Sequence, residues 1–200
     1  MKNTPMKLPL DCNANYVQDF LTEKEANTLY TSLMDTYKID QARLVIKAGG
    51  ETIETDSFKL LFASEELILQ NSHPKEIHGA SHVFTGAMRA LKEKVEQQLQ
   101  KEFPLAMCLY YPNGNYFAPH HSDQETSGAD TILPSISLGE VREFHFMHKE
   151  NHEEYGLDLA HGSMLVMGVH CQERYTHSLP QNMNYKKGRI NITFREANFK

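Results

Sequence analysis

The chain is 200 residues long, with 26 acidic against 20 basic side chains and a formal net charge of −6. Hydrophobic residues make up 40% and charged residues 23%, which is enough apolar content for a real core and too little charge for disorder. Acid exceeds base in both halves, and that balance argues against a general duplex-binding protein, whose affinity rests on Lys and Arg neutralising phosphates.

A chain of this length suits one domain over residues 1–200. No run approaches the roughly 20 apolar residues of a membrane span. No apolar leader stands at the N-terminus, so an intracellular, cytoplasmic protein with no membrane association is expected. Cys12, Cys108 and Cys171 are odd in number, far apart and without a C-x-x-C, which fits free thiols in a reducing compartment. Cys171 reads as an inert buried thiol. Eight of the 11 histidines lie after residue 104, a bias that invites a search for metal ligands.

Residues 1–20 read as short extended pieces broken by Pro5 and Pro9. Thr22 and Glu25 form a capping box, and Ala26, Leu29, Tyr30, Leu33, Met34 and Tyr37 follow at helical spacing, predicting one supporting helix that ends before Gln41. Residues 42–63 predict a β-hairpin or substrate lid, with Ala48-Gly49-Gly50-Glu51 as its turn. Its basic residues, Arg43, Lys47 and Lys59, are opposed by Glu51, Glu54 and Asp56. Residues 65–83 are polar, contain Pro74 and three histidines, and read as an irregular loop. A second helix runs from Thr85, burying Met88, Leu91, Val95 and Leu99, and stops at Phe103-Pro104.

From there the period switches to two. Leu105–Tyr111, Ser135–Leu138, Glu143–Met147, Ser163–Met167 and Arg189–Arg195 predict strands, with Met164 and Met167 in the core. Helices first and many short strands after predict an α+β fold: a double-stranded β-helix (jelly-roll) core over residues 104–200, with two supporting N-terminal helices and the lid in residues 1–103.

The last strand alternates strictly. Ile190, Ile192 and Phe194 form an apolar face; Arg189, Asn191, Thr193 and Arg195 form the other. By itself this fits equally an edge strand with one solvated face or a strand whose arginines grip a small dianion, since Arg presents a planar fork to carboxylates. Upstream, His121 and Asp123 are two apart in an extended segment and point to one side. With His177 they make two histidines and one carboxylate, the facial set of non-haem Fe(II) oxygenases. His120 should point away from them, His145, His148, His152, His161 and His170 read as surface or core histidines, and Lys186-Lys187 reads as a solvated turn.

The ordered set of His121-Ser122-Asp123-Gln124-Glu125, Ser135–Gly139, Arg142–Phe146, Leu159–Ser163, His177–Pro180 and Arg189-Ile190-Asn191-Ile192-Thr193-Phe194-Arg195 resembles the AlkB-like Fe(II)/2-oxoglutarate dioxygenases over residues 104–196. The resemblance implies Fe(II), 2-oxoglutarate and O2 as cofactors. His121, Asp123 and His177 would bind iron. Arg189, helped by Tyr111, would pair with the distal carboxylate of 2-oxoglutarate. Arg195 would steady the metal end, and Asn191 would order the strand. Glu125 would lie near the target base, and Phe144 or the His121 ring would wall the pocket. The implied reaction is oxidative demethylation of N-alkylated bases in DNA or RNA, flipped out of any duplex. The charge points to single-stranded nucleic acid, and a monomer is expected.

Leu109 departs from the family, which carries Asn there to bind 2-oxoglutarate. The alternative function is the same oxygenase chemistry on a protein side chain or small metabolite. A binding module with a decayed site and a structural zinc site are weaker: the triad and both arginines are intact, and there is no cysteine pair.

Overall fold

The computed structural model describes residues 4–48, 51–73, 75–123 and 128–196. In chain order its strands are β1 (Met6–Lys7), β2 (Ala14–Val17), β3 (Arg43–Ala48), β4 (Glu51–Ala63), β5 (Ala80–Val83), β6 (Leu105–Tyr111) and β7 (Ala118–His121). They continue as β8 (Leu133–Gly139), β9 (Arg142–His148), β10 (Glu154–Leu159), β11 (Ser163–Met167), β12 (Tyr175–Leu179) and β13 (Arg189–Arg195). The α-helices are α1 (Glu23–Thr31), α2 (Glu65–Leu69), α3 (Lys75–His78), α4 (Gly86–Leu99) and α5 (Cys171–Arg174).

Two sheets face each other. The larger runs β1-β2-β11-β8-β13-β6-β4-β3, with β5 also on β4; the smaller runs β10-β9-β12-β7. This is the expected jelly roll, and α1 and α4 are its two supporting helices. One core cluster joins Leu29, Leu33, Met88, Leu91 and Val95 of the helical layer to Ile190, Ile192 and Phe194. The second lies between the sheets and includes Tyr16, Leu165, Phe144, Phe146 and Tyr175.

The alternation of β13 now has a physical meaning. Its apolar face packs on the helices, and its polar face looks into the space between the sheets. The edge-strand alternative is overturned, because β13 is paired on both sides, with β6 and β8, and Arg189 and Arg195 are buried. Gly188 leads into the strand at a place where a Cβ would sit 2.7 Å from Tyr110 and from the Tyr30 hydroxyl. A side chain there would displace the Tyr30 and Tyr110 rings.

Other expectations need correction. The Thr22 capping box forms, with Glu25 Oε2 accepting from the Thr22 amide at 2.7 Å, but the α-helix ends at Thr31. A π turn over Ser32–Thr36 follows, and Lys38, in the left-handed region at φ 52°, ends the helical run. Residues 65–83 are no irregular loop: Ser64 caps α2, and α2 and α3 form the crossover that parallel pairing of β4 with β5 requires. Helices of five and four residues are too short for a periodic signal. The strands β7, β10 and β12 went unread in the sequence, and the proposed turn at Gly49-Gly50 lies outside the described residues. Cys171 is not isolated either: its sulfur lies 2.7 Å from that of Cys12, 159 residues away in sequence.

Arg142 is fully buried. It donates to the carbonyls of Tyr116 at 3.1 Å, Tyr111 at 3.3 Å and Lys187 at 3.3 Å, pinning three chain segments beside the site. Glu140 lies 3.8 Å from it. Arg142→Ala strands those carbonyls and the Glu140 charge, and is expected to cost about 3–5 kcal/mol, read as a lower urea midpoint.

Candidate metal and dicarboxylate site

The candidate metal ligands are set by pairing. His177 on β12 stands directly opposite His121 on β7, so both rings fall on one face, with centroids 4.3 Å apart. Asp123 follows two residues after His121, and Oδ2 lies 3.7 Å from His177 Nε2. One ligand atom from each of the three lies within 4.8 Å of the others, the only such cluster of three or more found among the described residues. His120 alternates away, as expected, and reaches Thr176 and Ser178 on the opposite face.

The surrounding contacts fit a cation. His121 Nδ1 is 2.7 Å from the Pro119 carbonyl, which can only accept, so Nδ1 is the donor there and Nε2 is the nitrogen left for a metal. Burial alone would raise the Asp123 carboxyl, but Arg195 and His177 overcome it and hold the group below the usual carboxylate range. Burial holds His177 down at about 4, so it stands neutral and ready to ligate at neutral pH. Arg195 donates to Asp123 Oδ1 at 2.9 Å, while the Asp123 amide donates to Gln172 Oε1 at 2.9 Å. Both ends of Asp123 are therefore fixed, and Oδ2 is left toward the histidines. Phe144 stacks on His177 with centroids 5.5 Å apart and walls this end.

A cavity of about 100 Å³ runs from these ligands to Arg189. Arg189 is 2% exposed and donates to Ser137 Oγ at 3.0 Å. Its guanidinium carbon lies 5.5 Å from the Tyr111 ring centroid, and its buried Nε has no hydrogen-bond partner among the described residues. Burial lowers its pKa to about 10, which leaves it charged at pH 7. Burial raises the Tyr111 phenol, which stays protonated and able to donate. A buried cation with an unused donor at the end of a small cavity fits a carboxylate. A metal at one end and a carboxylate-binding arginine at the other fit a short dicarboxylate chelating that metal.

Asn191 is committed elsewhere: it donates to Ser135 Oγ at 2.6 Å and accepts from Thr193, ordering its strand. Leu109 lies beside it across the ladder and contributes only apolar wall. Glu125 lies outside the described residues. Gln172 and Arg142 went unread as site residues. Their partners are 49 and at least 26 residues away in sequence, and no local spacing announces them.

A model described as the 2OG-Fe(II) oxygenase superfamily matches residues 13–195. Alpha-ketoglutarate-dependent dioxygenase alkB homolog 3 of Homo sapiens is 31% identical over 118 residues, 54% of this chain and 41% of that protein. DNA oxidative demethylase ALKBH2 of Mus musculus is 27% identical over 118 residues, 54% of this chain and 49% of that protein. The match thus spans less than half the length of these relatives. The solved structure of OsALKBH1 superposes with a TM-score of 0.63 at 13% identity, covering 94% of this chain and all of that one, a likeness of fold.

Gln172 touches no ligand atom of the metal, yet it orients Asp123. Gln172→Ala is expected to weaken Co(II) binding roughly 10- to 100-fold in a spectroscopic titration, and Asp123→Ala to abolish it.

Proposed function

This chain belongs to the 2OG-Fe(II) oxygenase superfamily, and on that premise we propose that it oxidatively demethylates N-alkylated bases in single-stranded DNA or RNA. The observation that carries this reading is the buried Arg189 facing the His121, Asp123 and His177 donors across one small cavity. The two sequence relatives named above, a dioxygenase and a DNA oxidative demethylase, support the substrate class.

Iron, 2-oxoglutarate and O2 together supply the oxidation: 2-oxoglutarate goes to succinate and CO2, and a nearby C–H becomes C–OH. The protein's part is positional. His121, Asp123 and His177 would hold the iron, and a set of two histidines and one carboxylate would leave room for 2-oxoglutarate and O2. Arg189 and the Tyr111 hydroxyl would hold the distal carboxylate and so orient 2-oxoglutarate. Leu109 offers no hydrogen bond, so Arg189 and Tyr111 carry more of the cofactor binding than they would beside an Asn. Phe144 and Leu179 keep the metal end dry. A hydroxylated N-methyl group is a hemiaminal, which releases formaldehyde and leaves the free base.

The net charge of −6 disfavours tight duplex binding, and a flipped base costs least from a single strand. Glu125, two residues after Asp123, is placed by the same reading near the base edge, where its carboxylate can accept from an exocyclic amine. The protein acts as a monomer in this reading. Among the described residues no helix is long and apolar enough to cross a membrane. The same negative charge favours the second reading, hydroxylation of a protein side chain or small metabolite.

Succinate formation from 2-oxoglutarate, with and without a single-stranded oligonucleotide carrying 1-methyladenine, separates the two. Stimulation by the oligonucleotide, with formaldehyde released in equal amount, is expected; indifference to it would move the chemistry to another substrate. Arg189→Gln is expected to weaken 2-oxoglutarate binding by about 2–5 kcal/mol, measured by calorimetry with Mn(II) in place of iron.

A further inference from the structure

The metal cavity has a neighbour. Leu109, Tyr111 and Ala118 also line a second cavity of about 240 Å³, which lies between β4 and the start of β7. Most of its remaining lining is aromatic. Phe58, Tyr116 and Phe117 contribute rings, and Phe117 is 48% exposed although it is large and apolar. The Phe58 and Tyr116 rings lie 5.9 Å apart, so this is a packed aromatic wall. The one acid lining this cavity, Asp56, is tied to Arg43 at 3.2 Å.

A cation stands beside it. Lys59 pairs with Leu109 across the β4–β6 ladder, and Leu109 pairs with Asn191 across the β6–β13 ladder. Directly opposed residues share a face, so Lys59 lies on the site face, next to the residue that divides the two cavities. It is half-buried, and no hydrogen bond or ion pair of its side chain is found among the described residues. Burial, and then the nearby charge of Arg195, hold its ammonium below the ordinary lysine range. His73 and His78, brought over from the α2–α3 crossover, feel the Lys59 charge as well. A half-buried cation with no ion pair among the described residues can take an arriving anion as its partner.

We infer that this groove binds the nucleotide next to the target base, stacking its base on Phe117 and Tyr116 and taking its phosphate at Lys59. The inference rests on the nucleic-acid reading of the site and extends it to a named subsite. A single strand suits the groove better than a duplex, because only an unpaired base offers its whole face to an aromatic ring. Stacking tolerates any base, so the subsite would confer affinity for strand over free nucleoside without reading sequence.

The test uses the full chain loaded with Mn(II) and 2-oxoglutarate, and a single-stranded oligonucleotide carrying 1-methyladenine with 2-aminopurine on one side or the other. Wild type is expected to quench the 2-aminopurine from one flank. Phe117→Ala is expected to abolish that quench and weaken binding roughly 5- to 100-fold, with Phe117→Tyr restoring both. Lys59→Gln is expected to lower the slope of log affinity against log salt by about 0.7, the share of one phosphate contact on a single strand, with Lys59→Arg restoring it. Wild-type binding that neither Phe117→Ala nor Lys59→Gln alters would overturn the subsite and leave the nucleic-acid reading standing. No binding of the oligonucleotide by wild type would overturn both.

Discussion

The site depends on one buried ion pair, Arg195 with Asp123 at 2.9 Å. Arg195 is 4% exposed and sits at the end of β13, the strand clasped between β6 and β8. Such a charge in a core is costly unless paired, and here its partner is a carboxylate that must itself stay ionised to ligate a cation. Each charge makes the other tolerable. The pair also fixes geometry: with Oδ1 taken by Arg195 and the backbone amide taken by Gln172, Asp123 can turn only its Oδ2 toward His177.

The same strand places the second arginine. Arg189 and Arg195 are six residues apart on one face, so they stand roughly 20 Å apart along the backbone, and their long side chains lean into one cavity between the sheets. The strand therefore works as a ruler. One end steadies Asp123, and the other holds a buried cation at the far end of the same cavity. Helices α1 and α4 back this strand through Ile190, Ile192 and Phe194, which keeps the ruler rigid without occupying its working face.

Arg142 plays a structural part of similar weight. It gathers the carbonyls of Tyr111, Tyr116 and Lys187, the ends of β6, of the turn before β7, and of the segment before β13. Those segments border both the metal cavity and the aromatic groove. A fully buried guanidinium with several carbonyl partners is a common way to hold irregular backbone, since five N–H donors can satisfy groups that no strand ladder reaches. The opening of the jelly roll is thus shaped by an internal cation, while its floor is shaped by two more.

Local pattern determined a good deal here. Period-two alternation and short apolar runs located Leu105–Tyr111, Ser163–Met167 and Arg189–Arg195 at their observed bounds, and the capping box located the start of the first helix. The H-x-D spacing put two donors on one side of an extended chain, and the alternation of the last strand set its two arginines on one face, open to an edge-strand or a dianion reading. Those features are legible because side-chain direction repeats with period two or 3.6 and needs no distant partner. Only the tertiary structure decided the rest. Pairing of β7 with β12 brought His177 opposite His121, burial turned the polar face of β13 inward, and the β4–β5 crossover turned an apparent loop into two short helices. Lys59 beside Leu109, Gln172 on Asp123 and Cys12 against Cys171 are likewise contacts between segments far apart in the chain. Their geometry is set by register between strands, which no single stretch of sequence contains.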